Sequence, residues 1–314
     1  MRKISVIGGA GNIGKMIVDK LIWMSICDSI VLCDVNEDTA KGIVIDVKQS
    51  AAVFGKSINL IGTSDYSQIK DSNIVVVPAG VPRKPGMTRD DLLKVNLGIV
   101  KSIAEQIKEY APNAFVIVIT NPLDLMVWAM YKYLGFDKKK VIGMAGVLDS
   151  ARLSYQISEI FNVNYSSISP MVIGAHNDSM MPLLRYTTVS GIPVTELIKK
   201  FPHLTMDGVI NKVQTGGAEI VGLLKTGSAY FAPANSAVLM ADSILNDRNR
   251  ILSCSTLLNG EYGVDNMFVG VPTLLNKNGA EKIIELDLTD SEKNDFEKSV
   301  DTIKTMLKDL DLNN

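Results

Sequence analysis

The stretch "RKISVIGGAGNIGK" (residues 2–15) decides the fold of the chain. An apolar run ends at a cluster of glycines, and a helical pattern begins directly after the cluster. The glycines can be read as G-x-G-x-x-G from Gly9, Gly11 and Gly14, or as G-x-x-G-x-x-G from Gly8. Glycines at such a turn allow the backbone to approach a pyrophosphate at the helix N-terminus, although a tight turn alone would also favour them.

Asp34 supplies the context for this loop. It ends the apolar run "SIVLCD" (residues 29–34), twenty residues after Gly14. An acid at this place accepts hydrogen bonds from the adenosine ribose and repels a 2′-phosphate, which favours NAD over NADP. The predicted NAD-binding residues in this part of the chain are Gly9, Ala10, Gly11, Asn12, Ile13, Gly14 and Asp34.

Apolar runs alternate with helical patterns through the first half of the chain. The predicted strands cover residues 2–7, 29–34, 58–63, 73–79, 114–120 and 141–146. The predicted helices between them cover residues 13–24, 37–53, 92–110 and 123–133. Continuous apolar strands joined by helices are typical of a parallel sheet buried on both faces. We therefore expect a Rossmann-type doubly wound parallel sheet in an NAD-binding domain of residues 1–146.

The alternation stops near residue 147. The following pattern predicts a helix over 148–161, a strand over 168–175, helices over 206–225 and 230–246, strands over 250–258 and 266–271, and a last helix from about residue 290. This is a mixed α+β pattern, and we expect residues 147–314 to form a substrate domain.

The composition limits the partners and the compartment. The chain has 32 Lys+Arg against 34 Asp+Glu and no basic stripe, so we expect no nucleic-acid partner. No apolar run approaches the ~20 residues of a membrane span, and we expect neither a span nor a signal peptide. Cys27, Cys33 and Cys254 are odd in number and show no C-x-x-C spacing, which favours a reducing compartment without a disulfide or a zinc site. We expect a cytoplasmic protein.

Candidate catalytic residues lie in the second half. His176 follows an apolar strand, whereas His203, beside Pro202, is expected on a surface loop. Asp149 and Arg152 are three positions apart and therefore share one helix face. The competing interpretation is that they form only an ordinary ion pair on the helix. An aspartate that orients an imidazole, beside an arginine that binds a carboxylate, suits a 2-hydroxy-acid site.

Asn121 ends the fifth predicted strand, in "ITNPLD" (residues 119–124). Ligands of such sheets bind at the carboxyl ends of the strands, where an amide can meet a substrate oxygen. A plain Asn-Pro turn is the competing interpretation.

Eight motifs, in order and spacing, strongly resemble the lactate/malate dehydrogenase family, and within it the lactate-dehydrogenase-like malate dehydrogenases. They are "GGAGNIG", Asp34, "AGVPRKPGMTRDDL", "VNLGI", "ITNPLD", "GMAGVLDSAR", "IGAHND" and "LLKTGSAYFAP". The resemblance implies NAD-dependent oxidation of L-malate to oxaloacetate, a place in the tricarboxylic acid cycle, and a homotetramer or homodimer.

The resemblance also implies residue roles. His176 would transfer the proton while paired with Asp149, and Arg152 would bind the C1 carboxylate of the substrate. Arg89 would lie on a closing loop and polarise the carbonyl. Asn121 would contact both the substrate and the nicotinamide, and Ser228 would contact the substrate. Asn96, Ile119 and Thr120 would line the cofactor.

Arg83 is the residue on which malate rather than lactate depends. The resemblance implies that an arginine there pairs with the second carboxylate of oxaloacetate, whereas lactate dehydrogenases usually have glutamine there or an insertion in the loop. The alternatives are an L-lactate dehydrogenase, an NAD-dependent glycosidase, which would need cysteine and histidine metal ligands, and a non-catalytic NAD-binding protein. Three positions depart from the family pattern: Pro78, Asn177 (usually glycine) and Asn235.

Overall fold

The structure is a computed structural model that describes residues 2–81 and 89–308, with the backbone alone for residues 89 and 90. The chain divides by packing into two compact units. The first contains the residues up to Met144, Tyr230–Arg250 and Leu274–Lys282. The second contains Ala145–Ala229, Ile251–Thr273 and the residues from Ile283 onward.

The chain up to Met144 alternates strands with helices, as predicted. The strands are β1 (Lys3–Ile7), β2 (Ser29–Cys33), β3 (Asn59–Thr63), β4 (Ile74–Val77), β5 (Phe115–Val118) and β6 (Val141–Gly143). The helices are α1 (Asn12–Met24), α2 (Glu37–Val53), α3 (Arg89–Tyr110) and α4 (Leu123–Leu134). The predicted strands were too long mainly at their carboxyl ends, where the chain leaves the sheet and forms loops.

From Ala145 onward, helices mix with short and long strands. The helices are α5 (Gly146–Phe161), α6 (Val194–Leu197), α7 (Val209–Leu224), α8 (Phe231–Leu245) and α9 (Asp290–Lys308). The strands are β7 (Ile168–Ser169), β8 (Val172–Ile173), β9 (Met181–Pro182), β10 (Thr188–Val189), β11 (Ile192–Pro193), β12 (Arg250–Asn259), β13 (Asp265–Asn276) and β14 (Gly279–Ile283).

Strands β1 to β6 are parallel neighbours in the order β3-β2-β1-β4-β5-β6. Every residue of β2 and β4 is buried, which explains their continuous apolar sequences. The strand order reverses between β1 and β4. Because ligands of open α/β sheets bind beyond the strand ends at such a reversal, the loops after β1 and β4 are the place to look for a cofactor site.

Helix α8 packs against α1 and so belongs to the first unit, although it follows most of the second unit in sequence. The predicted boundary after residue 146 divides the chain at a single position and so groups α8 with the second half. In the structure, α8 packs with the first unit.

The second unit contains two small antiparallel sheets, with the orders β11-β10-β7 and β8-β9. The single strand predicted over 168–175 was wrong, because β7 ends at Ser169 and β8 begins at Val172 in a different sheet. Pro170 lies between them and has no N–H to continue a ladder. A cluster of apolar side chains forms a core of this unit: Leu153, Ile157, Val172, Met180, Val189, Val194, Val209 and Val213.

The three cysteines, Cys27, Cys33 and Cys254, are buried. Burial raises the pKa of each thiol to about 12. These thiols therefore stay protonated at neutral pH and pack as small apolar side chains. Over residues 2–81 and 89–308, no helix has the length and apolar character needed to cross a membrane.

Candidate active site

Three glycines after β1 are required by close packing. A Cβ on Gly8 would lie 2.6 Å from Ala79 Cα, in the loop after β4, and Gly8 itself has a φ of +84°. A Cβ on Gly9 would lie 2.6 Å from Leu32 Cγ, and one on Gly14 would lie 2.5 Å from Gly9 Cα. At distances below 3.0 Å, a larger side chain would require the neighbouring atoms to move, which are backbone atoms at Gly8 and Gly14 and the Leu32 side chain at Gly9.

Gly11 differs from the other three, because a Cβ there would make only an ordinary contact at 3.4 Å with Gly8 O. It precedes α1, whose N-terminus has no side-chain cap and no acidic residue in its first turn. An uncapped helix N-terminus attracts anions. The exposed Gly11 therefore fits a place where a pyrophosphate approaches the backbone, and the loop fits NAD.

Asp34 fixes the same loop. Its Oδ2 accepts a hydrogen bond from Ala10 N at 3.0 Å, and its Oδ1 accepts one from Asn36 N at 3.2 Å. The carboxylate is half-buried at the end of β2. It therefore orders the glycine loop from the next strand, in addition to the ribose contact expected from the sequence.

Two of the other predicted cofactor residues, Asn96 and Thr120, hold backbone near the ends of β4 and β5. Asn96 Oδ1 accepts from Val81 N at 2.9 Å, and Asn96 Nδ2 donates to Asn121 O at 2.8 Å. Thr120 Oγ1 donates to Ala79 O at 2.6 Å. Asn96, Ile119 and Thr120 are buried, and Asn121 is exposed. The structure thus adds a loop-ordering role that sequence reasoning did not find for Asn96 and Thr120.

The second unit brings together three of the residues proposed for chemistry, namely Asp149, Arg152 and His176. Asp149 lies in the first turn of α5, where the helix dipole favours a negative charge. Its Oδ2 lies 2.8 Å from His176 Nδ1, and its Oδ1 accepts from Arg152 Nη1 at 3.0 Å. Only 2% of the Asp149 side chain is exposed, against 12% for His176 and 19% for Arg152. One buried carboxylate therefore orients both an imidazole and a guanidinium.

Gly217 of α7 packs tightly against Arg152, and the neighbouring Gly216 is in ordinary contact with it. A Cβ on Gly217 would lie 3.1 Å from Arg152 Nη2, and one on Gly216 would lie 3.5 Å from Arg152 Cδ. This contact was not predicted from the sequence. The signal was present, because two glycines inside a helix cost about 1 kcal/mol each and indicate close packing.

The remaining predicted residues lie as follows. Ser228 is exposed on the segment after α7, Asn12 is exposed at the start of α1, and Ala10 and Ile13 are half-buried beside it. Arg83 lies outside the described residues, as does the side chain of Arg89. The backbone of Arg89 begins α3, so this helix starts three residues before the predicted Leu92.

The sequence matches two domain families over nearly its whole length. Residues 2–143 match the lactate/malate dehydrogenase NAD binding domain, and residues 146–311 match the lactate/malate dehydrogenase alpha/beta C-terminal domain. The chain belongs to the lactate/malate dehydrogenase family. The predictions of family, fold class and NAD as cofactor are confirmed.

Relatives in this family carry both names. The malate dehydrogenase of Ehrlichia canis is 50% identical over 311 residues, which cover 98% of this chain and 99% of that protein. The crystal structure of the Cryptosporidium parvum malate dehydrogenase has a TM-score of 0.94 at 44% identity and covers 99% of both chains. A lactate dehydrogenase of the same organism, solved with lactic acid and NAD, has a TM-score of 0.94 at 41% identity and covers 99% of this chain and 98% of that chain.

Proposed function

We propose that this protein is an NAD-dependent malate dehydrogenase, which interconverts L-malate and oxaloacetate. The observation that carries the proposal is the cluster in which Asp149 holds both His176 and Arg152. The curated relative from Ehrlichia canis, named malate dehydrogenase, supports the choice of substrate. The reaction needs one group that exchanges a proton and one that binds a carboxylate, and the cluster contains both.

His176 acts as the general base on malate. Because a carboxylate only accepts hydrogen bonds, the bond to Asp149 places the proton of the neutral ring on Nδ1. Nε2 is then free of a proton and removes the one on the substrate hydroxyl. In the reverse direction, the imidazolium donates that proton from Nε2 to the carbonyl oxygen, while Asp149 stabilises its charge. A bound NAD would supply the acceptor for the hydride that leaves C2 of malate.

Arg152 binds the C1 carboxylate of the substrate. A guanidinium has five N–H donors in a planar fork, and the bond to Asp149 uses one of them. A paired carboxylate therefore fixes the arginine while leaving donors for a two-bond contact with the substrate.

Arg83 and Arg89 complete the substrate contacts in this proposal. Arg89 polarises the reacting carbonyl, and Arg83 pairs with the second carboxylate of oxaloacetate. A guanidinium that faced the methyl group of pyruvate would lack a partner, which is costly in a site closed to water. Asn121 and Ser228 contact the substrate as well.

The cofactor contacts follow from the first unit. We propose that Gly9, Ala10, Gly11, Asn12, Ile13 and Gly14 bind the pyrophosphate, that Asp34 binds the ribose, and that Asn96, Ile119, Thr120 and Asn121 line the rest of the cofactor. Residues 1–146 would then serve NAD and residues 147–314 the substrate. A cytoplasmic homotetramer or homodimer completes the proposal.

Replacement of His176 tests this function. His176→Ala is expected to lower kcat for oxaloacetate reduction roughly 10²–10⁴-fold, the usual contribution of general acid–base catalysis. The Kd for NADH, measured by fluorescence titration, stays within twofold of the wild type. The matched control is His203→Ala, which removes the exposed second histidine and leaves both values unchanged. Near-normal turnover of His176→Ala would refute the assignment.

A further inference from the structure

Helix α9 contacts the chain directly before His176. Gly174 and Gly270 exchange two backbone hydrogen bonds, at 2.8 and 3.1 Å. Gly174 has a φ of +93°, and a Cβ there would lie 2.6 Å from Ser299 Oγ of α9. The next amide, Ala175 N, donates to the same Ser299 Oγ at 2.9 Å. Ser299 is therefore a fixed point for the backbone on the N-terminal side of the histidine.

Asn177 makes a second contact with α9, on the C-terminal side of His176. Its Nδ2 donates to Thr302 Oγ1 at 3.1 Å. Its Oδ1 accepts from Ser179 N at 2.8 Å and from the Ser179 hydroxyl at 2.5 Å. Ser179 Oγ in turn lies 3.2 Å from Ser299 Oγ. The histidine thus lies between two attachments to one helix.

The donors and acceptors of this cluster satisfy one another in a single arrangement. Ser179 Oγ donates its one proton to Asn177 Oδ1, so in its contact with Ser299 Oγ the Ser299 hydroxyl is the donor, and Ser299 Oγ also accepts from Ala175 N. Thr302 Oγ1 accepts from Asn177 Nδ2 and donates to Ser299 O at 2.7 Å. Ser299 is fully buried, so a lost partner would leave a buried hydroxyl unsatisfied. The cluster therefore favours one geometry of the loop.

Asn177 stands where the family pattern has glycine, and its backbone does not need one. Its φ is not positive, in contrast with that of Gly174. Glycine at this position would keep the backbone bond from Met180 N to Asn177 O, at 3.0 Å, but would lose every side-chain bond. The asparagine therefore adds a direct connection between the residue after His176 and α9.

We propose that Asn177 is a positioning residue, which acts with Ser179, Ser299 and Thr302 to align the His176 imidazole against Asp149. The proposal rests on the proposed function, because it assumes that His176 transfers the proton. A misplacement of about 1 Å in a reacting geometry can cost roughly 10²-fold in rate. Loss of one attachment among several is expected to cost less.

Thr302 allows a matched test. Thr302→Val keeps the shape and removes the hydroxyl, whereas Thr302→Ser keeps the hydroxyl. Thr305→Val makes the same change one turn later on α9, where the hydroxyl donates only to Asp301 O at 2.8 Å within the helix. Thr302→Val is expected to lower kcat for oxaloacetate reduction roughly threefold to tenfold with an unchanged KM for NADH. Thr302→Ser and Thr305→Val are expected to match the wild type.

Asn177→Gly tests the coupling. It is expected to lower kcat by at least a similar factor. The double variant Asn177→Gly/Thr302→Val is expected to be no slower than the slower single variant, because both changes remove the same bond between Asn177 Nδ2 and Thr302 Oγ1. Independent effects that multiply in the double variant would overturn the proposal. An effect of Thr302→Val on Tm alone, or an equal loss of kcat in Thr302→Ser, would also overturn it.

Nuclear magnetic resonance separates this proposal from the proposed function. The protein has two histidines, so His203→Gln leaves the ¹⁵N signals of the His176 ring as the only imidazole signals. In that background, Thr302→Val is expected to change the ring tautomer populations, while Thr302→Ser and Thr305→Val are not. If the wild type does not reduce oxaloacetate but these shifts occur, the proposed function fails and the positioning role stands. Unchanged ring signals in Thr302→Val would refute the positioning role.

Discussion

Asp149 Oδ2 lies 2.8 Å from His176 Nδ1, although 27 residues separate the two in sequence. Asp149 is in the first turn of α5, and His176 follows the short strand β8, which packs against α5. The contact between α5 and β8 therefore brings the carboxylate to the imidazole, and the same helix carries Arg152 one turn later.

Replacement of the carboxylate by an amide is expected to affect both partners. In Asp149→Asn, the amide no longer fixes the His176 tautomer, and kcat for oxaloacetate reduction falls roughly 10²-fold or more. Arg152 loses its anchor as well, so KM for oxaloacetate rises, which His176→Ala is not expected to cause. Steady-state kinetics at a saturating concentration of NADH measure both values.

The control for this variant is Glu159→Gln, which makes the same chemical change at an exposed position of α5. It is expected to leave kcat and KM unchanged. A lower kcat of Asp149→Asn without any rise in KM would show that Arg152 does not depend on the aspartate.

The two kinds of glycine in the loop after β1 predict different outcomes. Gly14→Ala places a Cβ 2.5 Å from Gly9 Cα, and this overpacking is expected to destabilise the protein by about 1–3 kcal/mol and to weaken NADH binding. Gly11→Ala has room for its Cβ, so the free energy of unfolding is expected to change by less than about 0.5 kcal/mol. Its affinity for NADH falls nevertheless, because the methyl group occupies space proposed for the pyrophosphate.

Urea unfolding and fluorescence titration with NADH distinguish these effects. Gly11→Ala is the informative variant, because its unchanged stability would show that any loss of NADH affinity does not come from misfolding. If it binds NADH as tightly as the wild type, the exposed side of this loop is not where the pyrophosphate lies.

Asp242 of α8 gives a prediction about pH and stability. Burial alone would raise the pKa of this carboxyl, but hydrogen bonds from Asn246 and Arg250 and the charges of Arg250 and Arg248 outweigh it and lower the pKa below the ordinary 3.8. The resulting stabilisation is fully present above pH 3.8 and is lost as the pH falls through the lower pKa of the folded state. Asp242→Asn is expected to cost about 1–3 kcal/mol at pH 7, because both arginines keep part of their solvation.

Urea unfolding at pH 7 and near pH 3 measures this difference, which is expected to shrink at the lower pH. Asp295→Asn, in an exposed pair with Lys298, serves as the control and is expected to cause no measurable loss. A cost of Asp242→Asn that is equal at both pH values would mean that the lost stability does not come from the charge.

The sequence predicted the six parallel strands β1 to β6 well, because buried parallel strands carry a strong local signal. Every residue of β2 and β4 is apolar or small and buried, so a continuous apolar run was enough to find them. The glycine loop and Asp34 were predicted equally well, because each comes directly after a strand that the sequence identifies, β1 and β2. The contact between Asp34 and Ala10 N was not predicted, because it depends on the relative register of β1 and β2.

Features that depend on distant contacts were missed. Strands of two residues, such as β8 and β9, are too short to show any periodicity, and β14 is only partly buried. The attachment of Asn177 to Thr302 joins residues 125 positions apart, so only the folded chain reveals it. The sequence did mark the place as an expectation, because the family resemblance implied glycine where this chain has Asn177.

A comparison of oxaloacetate with pyruvate as substrates tests the proposed function most directly, because the preference for malate over lactate depends on Arg83. The measurement is kcat/KM for each acid with NADH, in the wild type and in Arg83→Gln. The wild type is expected to prefer oxaloacetate by roughly 10²–10³-fold, the cost of leaving a buried charge without its partner, and Arg83→Gln is expected to lose most of that preference. A wild-type enzyme that prefers pyruvate would contradict the assignment of malate as its substrate.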